Sequence, residues 1–307
     1  MELAGNGMLI LLTGQNGQIG FELQRALMPL GEVVAPGRSM LDLADEGALR
    51  RLVRELRPDI IVNAAAYTAV DQAESDRAAA FAVNAEVPRV LGEEAARLGA
   101  LVLHFSTDYV FNGEQDKPYT ERDAPDPRNV YGLTKLQGEQ ALAGACAHHL
   151  ILRTSWVLGA HGGNFAKTVL GLARERTAFG VVADQYGAPT SAALVADISA
   201  HLLRQYWRER GIDFGTWHVA AGGTTTWYDY ARFVLAEAQA AGIALKAGPD
   251  AVQAIGTGDY PTAARRPRNS RLDTTGFCTT FGLRLPPWEE GVRQVLKQIF
   301  ESAQWSQ

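Results

Sequence analysis

A glycine-rich segment at residues 13–20, Thr-Gly-Gln-Asn-Gly-Gln-Ile-Gly, constrains the fold of this chain more than any other feature. It follows an apolar run at residues 8–12 and opens an amphipathic helical pattern. At this spacing Gly14 permits a tight strand-to-helix turn, Gly17 lets a pyrophosphate approach the backbone, and Gly20 lets the helix pack closely on the strand. We therefore expect a dinucleotide at this helix N-terminus, which attracts phosphates. A plain glycine turn is the alternative.

Apolar runs alternate with helical patterns through the first half of the chain. The strand-like runs are residues 8–12, 32–35, 59–62, 101–106 and 150–153, and the helical patterns are residues 20–30, 45–56, 89–98 and 130–143. Short apolar strands separated by helices are typical of a parallel sheet that is covered on both faces. The sequence therefore predicts an α/β fold with a doubly wound parallel Rossmann sheet.

After about residue 155 this alternation loosens. The further elements that we expect are a strand entering a turn at residues 181–189, helices at 194–207, 227–240 and 288–300, a strand at 217–219 and a loop at 261–270. We predict a dinucleotide-binding domain over residues 8–155, with a returning segment near residues 179–220. Residues 156–307 are expected to form a smaller C-terminal lobe that mainly binds the substrate.

The composition of the chain excludes several classes of protein. Its 307 residues carry a formal charge of −5, which gives no reason to expect a nucleic-acid surface. Cys146 and Cys278 are too few for a disulfide framework or a cysteine-based zinc site. No stretch approaches the roughly 18 apolar residues that span a bilayer, and the start of the sequence lacks a secretion signal. We expect a cytoplasmic protein that has no membrane partner.

The end of the second predicted strand indicates which dinucleotide binds. Enzymes that use NAD usually carry an acidic residue there for the ribose 2′-hydroxyl, whereas this chain has Gly37 and then Arg38. A guanidinium group can pair with a 2′-phosphate, so NADPH is expected and NADH use is left open. A solvated arginine is the alternative. Asp42 and Leu43 follow, where an acid and a small apolar residue commonly border the adenine.

Tyr131 and Lys135 lie four residues apart on a predicted helix, so their side chains share one face. A lysine cation there favours the tyrosinate and makes a phenol of pKa about 10 useful near neutral pH. Thr107 ends the fourth predicted strand, and its hydroxyl can donate to an oxygen that gains negative charge. Unless the spacing is chance, the three residues predict proton transfer beside a nicotinamide.

Small side chains after the third predicted strand leave room for a cofactor, although alanines are also ordinary packing residues. Lys135 is expected to hold the nicotinamide ribose as well. The expected cofactor-binding residues are Gly14, Gly17, Gln18, Ile19, Gly20, Arg38, Asp42, Leu43, Ala65, Ala66, Tyr67, Tyr131 and Lys135.

The motifs Thr-Gly-x-x-Gly-x-x-Gly, Ser-Thr-Asp-Tyr-Val-Phe and Tyr-x-x-x-Lys resemble those of the extended short-chain dehydrogenase/reductase superfamily. Four longer phrases resemble the dTDP-4-dehydrorhamnose reductase family within it, namely residues 63–71, 153–157, 184–190 and 264–270. The similarity runs in order from about residue 8 to about residue 300. It implies hydride transfer from NADPH, or NADH, to C4 of dTDP-4-dehydro-β-L-rhamnose. In this reaction Tyr131 donates the proton, Thr107 polarises the oxygen and Lys135 tunes Tyr131.

The resemblance also implies a sugar pocket and a diphosphate site. Trp156 offers an aromatic face to the apolar side of a deoxysugar, and Arg265 and Arg266 are candidates for bidentate phosphate contacts. Asn164 begins a predicted helix whose N-terminus also suits a phosphate. A core tryptophan and a solvated basic loop are the alternatives. The expected substrate-binding residues are Val70, Thr107, Asp108, Tyr131, Trp156, Asn164, Arg265 and Arg266.

One departure from the family concerns a metal. Some members form a dimer bridged by magnesium through three glutamates. Glu22 matches one of them, but Ala193 and Gln298 occupy the other two positions. Hard cations prefer several oxygen ligands, so we expect no metal here, magnesium included. The chain is expected to be a monomer or a metal-independent homodimer.

Two other functions stay open. An epimerase or dehydratase of the same fold would act on a related nucleotide sugar, although Tyr109 follows Asp108 where a dehydratase carries a second acid. A non-catalytic regulatory subunit of reductase-like fold would not need Tyr131 and Lys135. The motifs do not distinguish thymidine from uridine as the base of the substrate.

Overall fold

The computed structural model describes residues 7–302. Its first part alternates strands and helices, which are β1 (Met8–Thr13), α1 (Gln18–Leu27), β2 (Gly31–Val34), α2 (Glu46–Leu56), β3 (Ile60–Asn63), α3 (Val70–Ala73), α4 (Arg77–Phe81), α5 (Val87–Leu98), β4 (Leu101–Thr107), α6 (Val130–Ala145) and β5 (His149–Thr154). A π-helical stretch, Ala82–Glu86, joins α4 to α5, and a 3-10 turn, Asp108–Val110, follows β4. Every strand and helix predicted for this part is present, whereas α3 and α4 were not predicted because each is little more than one turn long.

The second part sets short strands between longer helices. Its elements are β6 (Val157–Leu158), α7 (Phe165–Glu175), β7 (Phe179–Val182), β8 (Tyr186–Gly187), β9 (Thr190–Ser191), α8 (Ala192–Glu209), β10 (Gly215–His218), β11 (Thr225–Thr226), α9 (Trp227–Ala240), β12 (Val252–Ile255), α10 (Thr275–Phe281) and α11 (Trp288–Glu301). The predicted helices are present here too. Two elements were not predicted from the sequence, namely β12, whose two central residues are exposed, and α10, which has only seven residues.

Six strands form the central sheet in the order β10-β5-β4-β3-β1-β2, and every neighbouring pair is parallel. Successive residues of β1 point to opposite faces of the sheet. Ile10 and Leu12 pack with α1 and α8, whereas Leu11 packs with α2 and α5. Helices therefore cover both faces, which confirms the predicted α/β fold with a doubly wound parallel Rossmann sheet.

A further hydrophobic core lies among α7, α9 and α11. Ala166, Leu235 and Leu296 are buried in it, and β12 pairs with β7 beside them. This core belongs to the part of the chain that was expected to form the C-terminal lobe. Residues 303–307 of that lobe lie outside the described residues.

The carboxyl ends of four central strands lie side by side at one edge of the sheet. Thr13 is opposite Asn63, Asn63 is opposite His104, and Thr107 is opposite Thr154. Ligands of open α/β sheets bind outside this edge. The glycine loop, the turn after β3 and the start of α6 all lie beyond this edge. The predicted catalytic and cofactor-binding residues are therefore close to one another.

Candidate active site

The glycine loop between β1 and α1 has a shape that side chains would obstruct. Gly14 has a φ of +78°, and a Cβ atom there would lie 2.4 Å from the Ala65 nitrogen. A Cβ atom at Gly20 would lie 2.0 Å from the Gly14 oxygen. Gly17 precedes Gln18, the first residue of α1, and no side chain caps this helix end. The bare loop and the free N–H groups of the first turn therefore fit a pyrophosphate.

Two asparagines that the sequence analysis did not identify hold the turn after β3. Asn63 Oδ1 accepts hydrogen bonds from Thr13 Oγ1 at 2.7 Å and from Ala65 N at 3.3 Å. Asn84 Oδ1 accepts from Tyr67 N at 2.8 Å, and Asn84 Nδ2 donates to Tyr67 O at 3.1 Å. For Asn63, the signal available in the sequence was an amide side chain in an otherwise apolar strand. Two other predicted cofactor-binding residues are partly buried, Ile19 in α1 and Ala66 in this turn.

The loop after β2 carries the residues predicted to contact the adenosine end of the cofactor. Arg38 is exposed and makes no hydrogen bond or ion pair within residues 7–302. A Cβ atom at Gly37 would lie 3.2 Å from Gln15 Nε2, so this loop passes close to the glycine loop. Asp42 accepts a backbone hydrogen bond at 2.9 Å in a local turn, and Leu43 packs on the core beneath α2. The guanidinium of Arg38 is therefore available to a phosphate.

Thr107 and Asp108 are buried at the carboxyl end of β4. Thr107 Oγ1 accepts a hydrogen bond from Tyr109 N at 3.2 Å and donates one to Asp108 Oδ1 at 3.1 Å. Asp108 Oδ2 has no hydrogen-bond partner among the described residues. Burial raises the pKa of Asp108 to about 7, and hydrogen bonds with Ser270 and Thr107 act in the opposite direction. A carboxyl group that titrates near neutral pH is typical of a functional site.

Tyr131 lies in the first turn of α6, where it is partly exposed. Burial raises the pKa of Tyr131 to about 12, a hydrogen bond with Thr107 lowers it, and the charge of Asp108 raises it. Its ring meets that of Tyr109 edge-on, with the centroids 5.6 Å apart. The phenol therefore keeps its proton at neutral pH, which is the state that a proton donor needs.

Lys135 is 1% exposed and lies one turn further along α6. Its Nζ donates to Phe105 O at 2.6 Å and lies 3.1 Å from His104 Nε2. Burial lowers the pKa of Lys135 to about 8, and Glu139 acts in the opposite direction. The structure directs Nζ to β4, where His104 and the Phe105 carbonyl lie. That Lys135 tunes Tyr131 stays a prediction.

A cavity of about 410 Å³ opens between the loop after β4 and the Pro- and Arg-rich loop before α10. Two predicted diphosphate ligands line it. Arg266 pairs with Asp71 at 2.7 Å, and Arg265 pairs with Glu114 at 3.0 Å. Arg268, which the sequence analysis did not name, lines the same cavity. This cluster of cations suits a polyanionic ligand.

Trp156 follows β5 in a left-handed conformation with a φ of +48°. Its ring stacks on that of Trp227, with the centroids 3.5 Å apart and the planes 12° apart. A Cβ atom at Gly187 would lie 2.5 Å from the Trp156 ring, so a larger residue does not fit there. A non-glycine residue in this conformation costs about 1–3 kcal/mol. Such strain is typical of a residue whose position matters for function.

Asn164 was predicted to bind the substrate and Gln18 to bind the cofactor, but the two side chains form a hydrogen bond with each other. Asn164 Nδ2 donates to Gln18 Oε1 at 3.1 Å and to Gly159 O at 2.7 Å. Its Oδ1 accepts from Lys167 N at 3.1 Å and so caps α7. Both amide hydrogens of Asn164 are thus engaged, and the side chain has none left for a diphosphate. Val70 begins α3 and is partly exposed.

The described residues carry neither a metal cluster nor a membrane span. Within residues 7–302, no group of three or more His, Cys, Asp or Glu side chains is arranged to hold a metal ion. Glu22 instead lies 3.5 Å from Arg25 in an ion pair. No helix in this part of the chain is long and apolar enough to cross a membrane.

Over nearly its whole length, this chain is similar to proteins named dTDP-4-dehydrorhamnose reductase. The family model of the RmlD substrate binding domain matches residues 8–300. The chain is 50% identical over 297 residues to dTDP-4-dehydrorhamnose reductase of Escherichia coli (strain K12), which covers 95% of this chain and 98% of that protein. A protein of the same name from Burkholderia thailandensis is 45% identical, with 95% and 99% covered. The crystal structure of dTDP-4-dehydrorhamnose reductase from Bacillus anthracis strain Ames in complex with NADP is 33% identical, with a TM-score of 0.88 and 95% and 100% covered.

Proposed function

Because the chain belongs to the dTDP-4-dehydrorhamnose reductase family, we propose that Tyr131 supplies the proton in the reduction after which that family is named. The reaction converts the C4 keto group of dTDP-4-dehydro-β-L-rhamnose to the C4 hydroxyl of dTDP-L-rhamnose. One arrangement carries the assignment. A protonated phenol lies beside Thr107 and the Asp108 carboxyl at the carboxyl end of β4.

The cofactor is NADPH, which supplies the hydride for C4 when bound. The bare backbone at Gly14 and Gly17 and the free N–H groups of α1 would hold its pyrophosphate. Arg38 would pair with the 2′-phosphate, since its guanidinium is exposed and has no partner among residues 7–302. We expect NADH to serve less well, because it lacks that phosphate.

Two hydroxyl groups act on the carbonyl oxygen of the substrate. Tyr131 donates its proton as the oxygen becomes basic, and the raised pKa keeps the proton in place until then. Thr107 turns its hydroxyl from Asp108, where it now donates at 3.1 Å, to the same oxygen. Lys135, which titrates near pH 8, stabilises the tyrosinate that is left and can hold or release a proton.

The substrate is held by cations at one end and by an aromatic wall at the other. Arg265 and Arg266 each exchange a carboxylate partner for the diphosphate, and Trp156 and Val70 border the deoxysugar. Asn164 acts indirectly, because its contact with Gln18 joins the glycine loop to the start of α7. We propose thymidine as the base, after the names of the relatives.

The two parts of the chain divide these tasks. Residues 8–155, together with the returning strand β10, bind the dinucleotide, and the following part mainly binds the nucleotide sugar. We propose a cytoplasmic location, where NADPH is at hand. We also propose a monomer or a metal-independent homodimer, because Ala193 in α8 and Gln298 in α11 offer no carboxylate to magnesium. A molecular mass that halves on addition of EDTA would contradict this.

Tyr131→Phe tests the proton donor because it removes only the phenolic oxygen. With the 4-keto-6-deoxy sugar made in situ as dTDP and UDP forms, kcat for NADPH oxidation should fall about 100-fold to 10,000-fold. The affinity for NADPH should change far less than kcat, and NMR of the wild-type product should identify the new C4 hydroxyl. Undiminished NADPH oxidation by the variant would remove Tyr131 from this role. Epimerised product without net NADPH use would favour an epimerase, and a folded wild type without turnover would favour a regulatory subunit.

A further inference from the structure

His104 is a buried histidine that the proposed reaction does not use. It lies on β4, three residues before Thr107, and is 0% exposed. Its Nε2 lies 3.1 Å from Lys135 Nζ, and its Nδ1 lies 3.0 Å from Asn63 Nδ2. The imidazole therefore connects the cofactor side of the sheet to the lysine of α6.

The orientation of Asn63 decides which ring nitrogen carries the proton. Its Oδ1 accepts hydrogen bonds from Thr13 Oγ1 and Ala65 N, so its Nδ2 faces His104 and donates to Nδ1. A neutral imidazole has one N–H group and one acceptor, so its proton lies on Nε2 and points at Lys135 Nζ. An ammonium group has no acceptor, whereas an amine has one. The hydrogen bonds around His104 are thus complete only when Lys135 is an uncharged amine.

We propose that His104 is a positioning residue that acts through Lys135. It holds Nζ against Phe105 O, and its Nε2–H group favours the amine over the ammonium. Protonation of Lys135 then requires the ring proton to move to Nδ1, with a turn of the Asn63 amide. The effect on turnover rests on the proposed role of Lys135 in the reaction, whereas the coupling of the two protons does not.

The charged groups around Lys135 do not supply this effect. On its own helix Glu139 raises the lysine pKa, and Glu139 is already paired with Arg153 of β5 at 2.9 and 2.6 Å. From β4, the partners of Nζ are His104 and the Phe105 carbonyl. Burial and the charge of Lys135 hold the pKa of His104 well below its ordinary value. As pH falls, the proton is therefore taken by Lys135, not by His104.

Two substitutions separate the contacts of the ring. His104→Asn keeps a polar atom near the position of Nδ1 and loses the contact with Lys135, whereas His104→Gln keeps one near the position of Nε2. We expect kcat to fall about 10-fold to 100-fold in His104→Asn with KM within about 2-fold, since outer partners of catalytic groups contribute this much. In His104→Gln, kcat should stay within about 3-fold of the wild type.

The dependence of kcat on pH distinguishes a positioning role of His104 from a merely structural one, because a structural role would not shift it. Because the ammonium is the form that stabilises the tyrosinate, kcat should fall as pH rises through about 8, which gives the pH profile an alkaline limb. In His104→Gln the amide can turn its oxygen to the ammonium, so this limb should move to higher pH. His218→Asn is the control, because His218 is also 0% exposed but its Nδ1 contacts Tyr119 O at 2.9 Å. It should lower the melting temperature without moving the limb. Equal losses of kcat in the Asn and Gln variants of His104, with an unmoved limb, would overturn the proposal.

Nitrogen NMR of labelled histidine tests the proton coupling without any turnover. From about pH 6 to about pH 10, the His104 proton should shift from Nδ1 to Nε2 in the wild type. It should not shift in Lys135→Met. His104 resonances are assigned from their loss in His104→Gln. Ring resonances that stay fixed over this range in the wild type would overturn the proposal, whatever the outcome for Tyr131→Phe.

Discussion

Two buried carboxyl groups, Glu94 in α5 and Asp108 after β4, are 1% and 3% exposed but differ in pKa. Arg54, Arg50 and Arg97 surround Glu94 at 2.7, 2.6 and 3.1 Å. Hydrogen bonds from these arginines, Arg54 first, lower the pKa of Glu94 to about 2. Asp108 Oδ2 has no partner among residues 7–302, and burial raises the pKa of Asp108 to about 7. The pKa is therefore lowered where arginines surround the carboxyl group, and it is raised where burial acts and no cation is in contact.

Two buried basic residues, Arg153 and Lys135, also differ in whether an oppositely charged group is in contact with them. Arg153 lies in a buried ion pair with Glu139, whereas Lys135 on the same helix as Glu139 faces a neutral imidazole and a carbonyl. A buried charge without a charged partner costs more than a paired one, and such a group is a candidate for proton transfer. The charges between α2 and α5 are thus paired with one another, whereas Lys135 and Asp108 near the end of β4 have no charged hydrogen-bond partner among the described residues.

The largest loss of stability that we expect at neutral pH from this contrast is that of Glu94→Gln. It should lower the free energy of unfolding by about 3 kcal/mol near neutral pH, because it breaks a buried ion cluster. The lowered pKa means that this stabilisation is present above about pH 4.5 and is lost as pH falls through about 2. Urea unfolding at several pH values measures it. Glu93→Gln is the control, because the Glu93 side chain is 34% exposed. Equal losses in the two variants would show that burial adds nothing to the cluster, and kcat should not change in either.

Asp108→Asn should have the opposite dependence on pH. The pKa of Asp108 is raised from 3.8 to about 7, so the folded protein favours the protonated form. Its contribution to stability is therefore present below pH 3.8 and is lost as pH rises through about 7. Relative to the variant, the wild type should lose up to about 1.4 kcal/mol per pH unit in that window. Urea unfolding of both proteins across the window checks this, and a constant difference between them would contradict it.

The fold could be predicted from the sequence because its signals are local. The apolar run of β1 and the glycines after it lie within residues 8–20, and Tyr131 and Lys135 are one helical turn apart. Sequence spacing gave their shared helix face, since it follows from the helical repeat. The short elements α10 and β12 have too few residues to show a period.

The chemical environment of the site could not be predicted in the same way, because it depends on contacts between distant residues. Lys135 Nζ is turned to His104, 31 residues earlier, and Arg266 pairs with Asp71, 195 residues earlier. The hydrogen bond between Asn164 and Gln18 connects residues that are 146 positions apart in the sequence. Spacing along the chain carries no information about such pairs. The sequence therefore predicted which residues bear the chemistry but not which of them lack a partner.

Arg38→Ala tests the proposed contact of an unpaired cation with the cofactor phosphate. We expect KM for NADPH to rise about 10-fold and KM for NADH to change less than about 2-fold, since one charge-assisted phosphate contact is lost. Steady-state kinetics with both cofactors measures this. Arg51→Ala, on the exposed side of α2, is the control and should affect neither. A strong preference for NADH that survives Arg38→Ala would contradict the assignment.

Arg97→Ala should have the smallest effect, although it removes a partner of the same buried carboxylate. Arg97 is 61% exposed, and its contact with Glu94 is the longest of the three at 3.1 Å. Water screens such a pair, so the free energy of unfolding should fall by less than about 1 kcal/mol. Arg50→Ala, at a position that is only 17% exposed, should cost more in the same urea titration. If the two losses were equal, the stability of the cluster would come from the number of arginines around Glu94 and not from their burial.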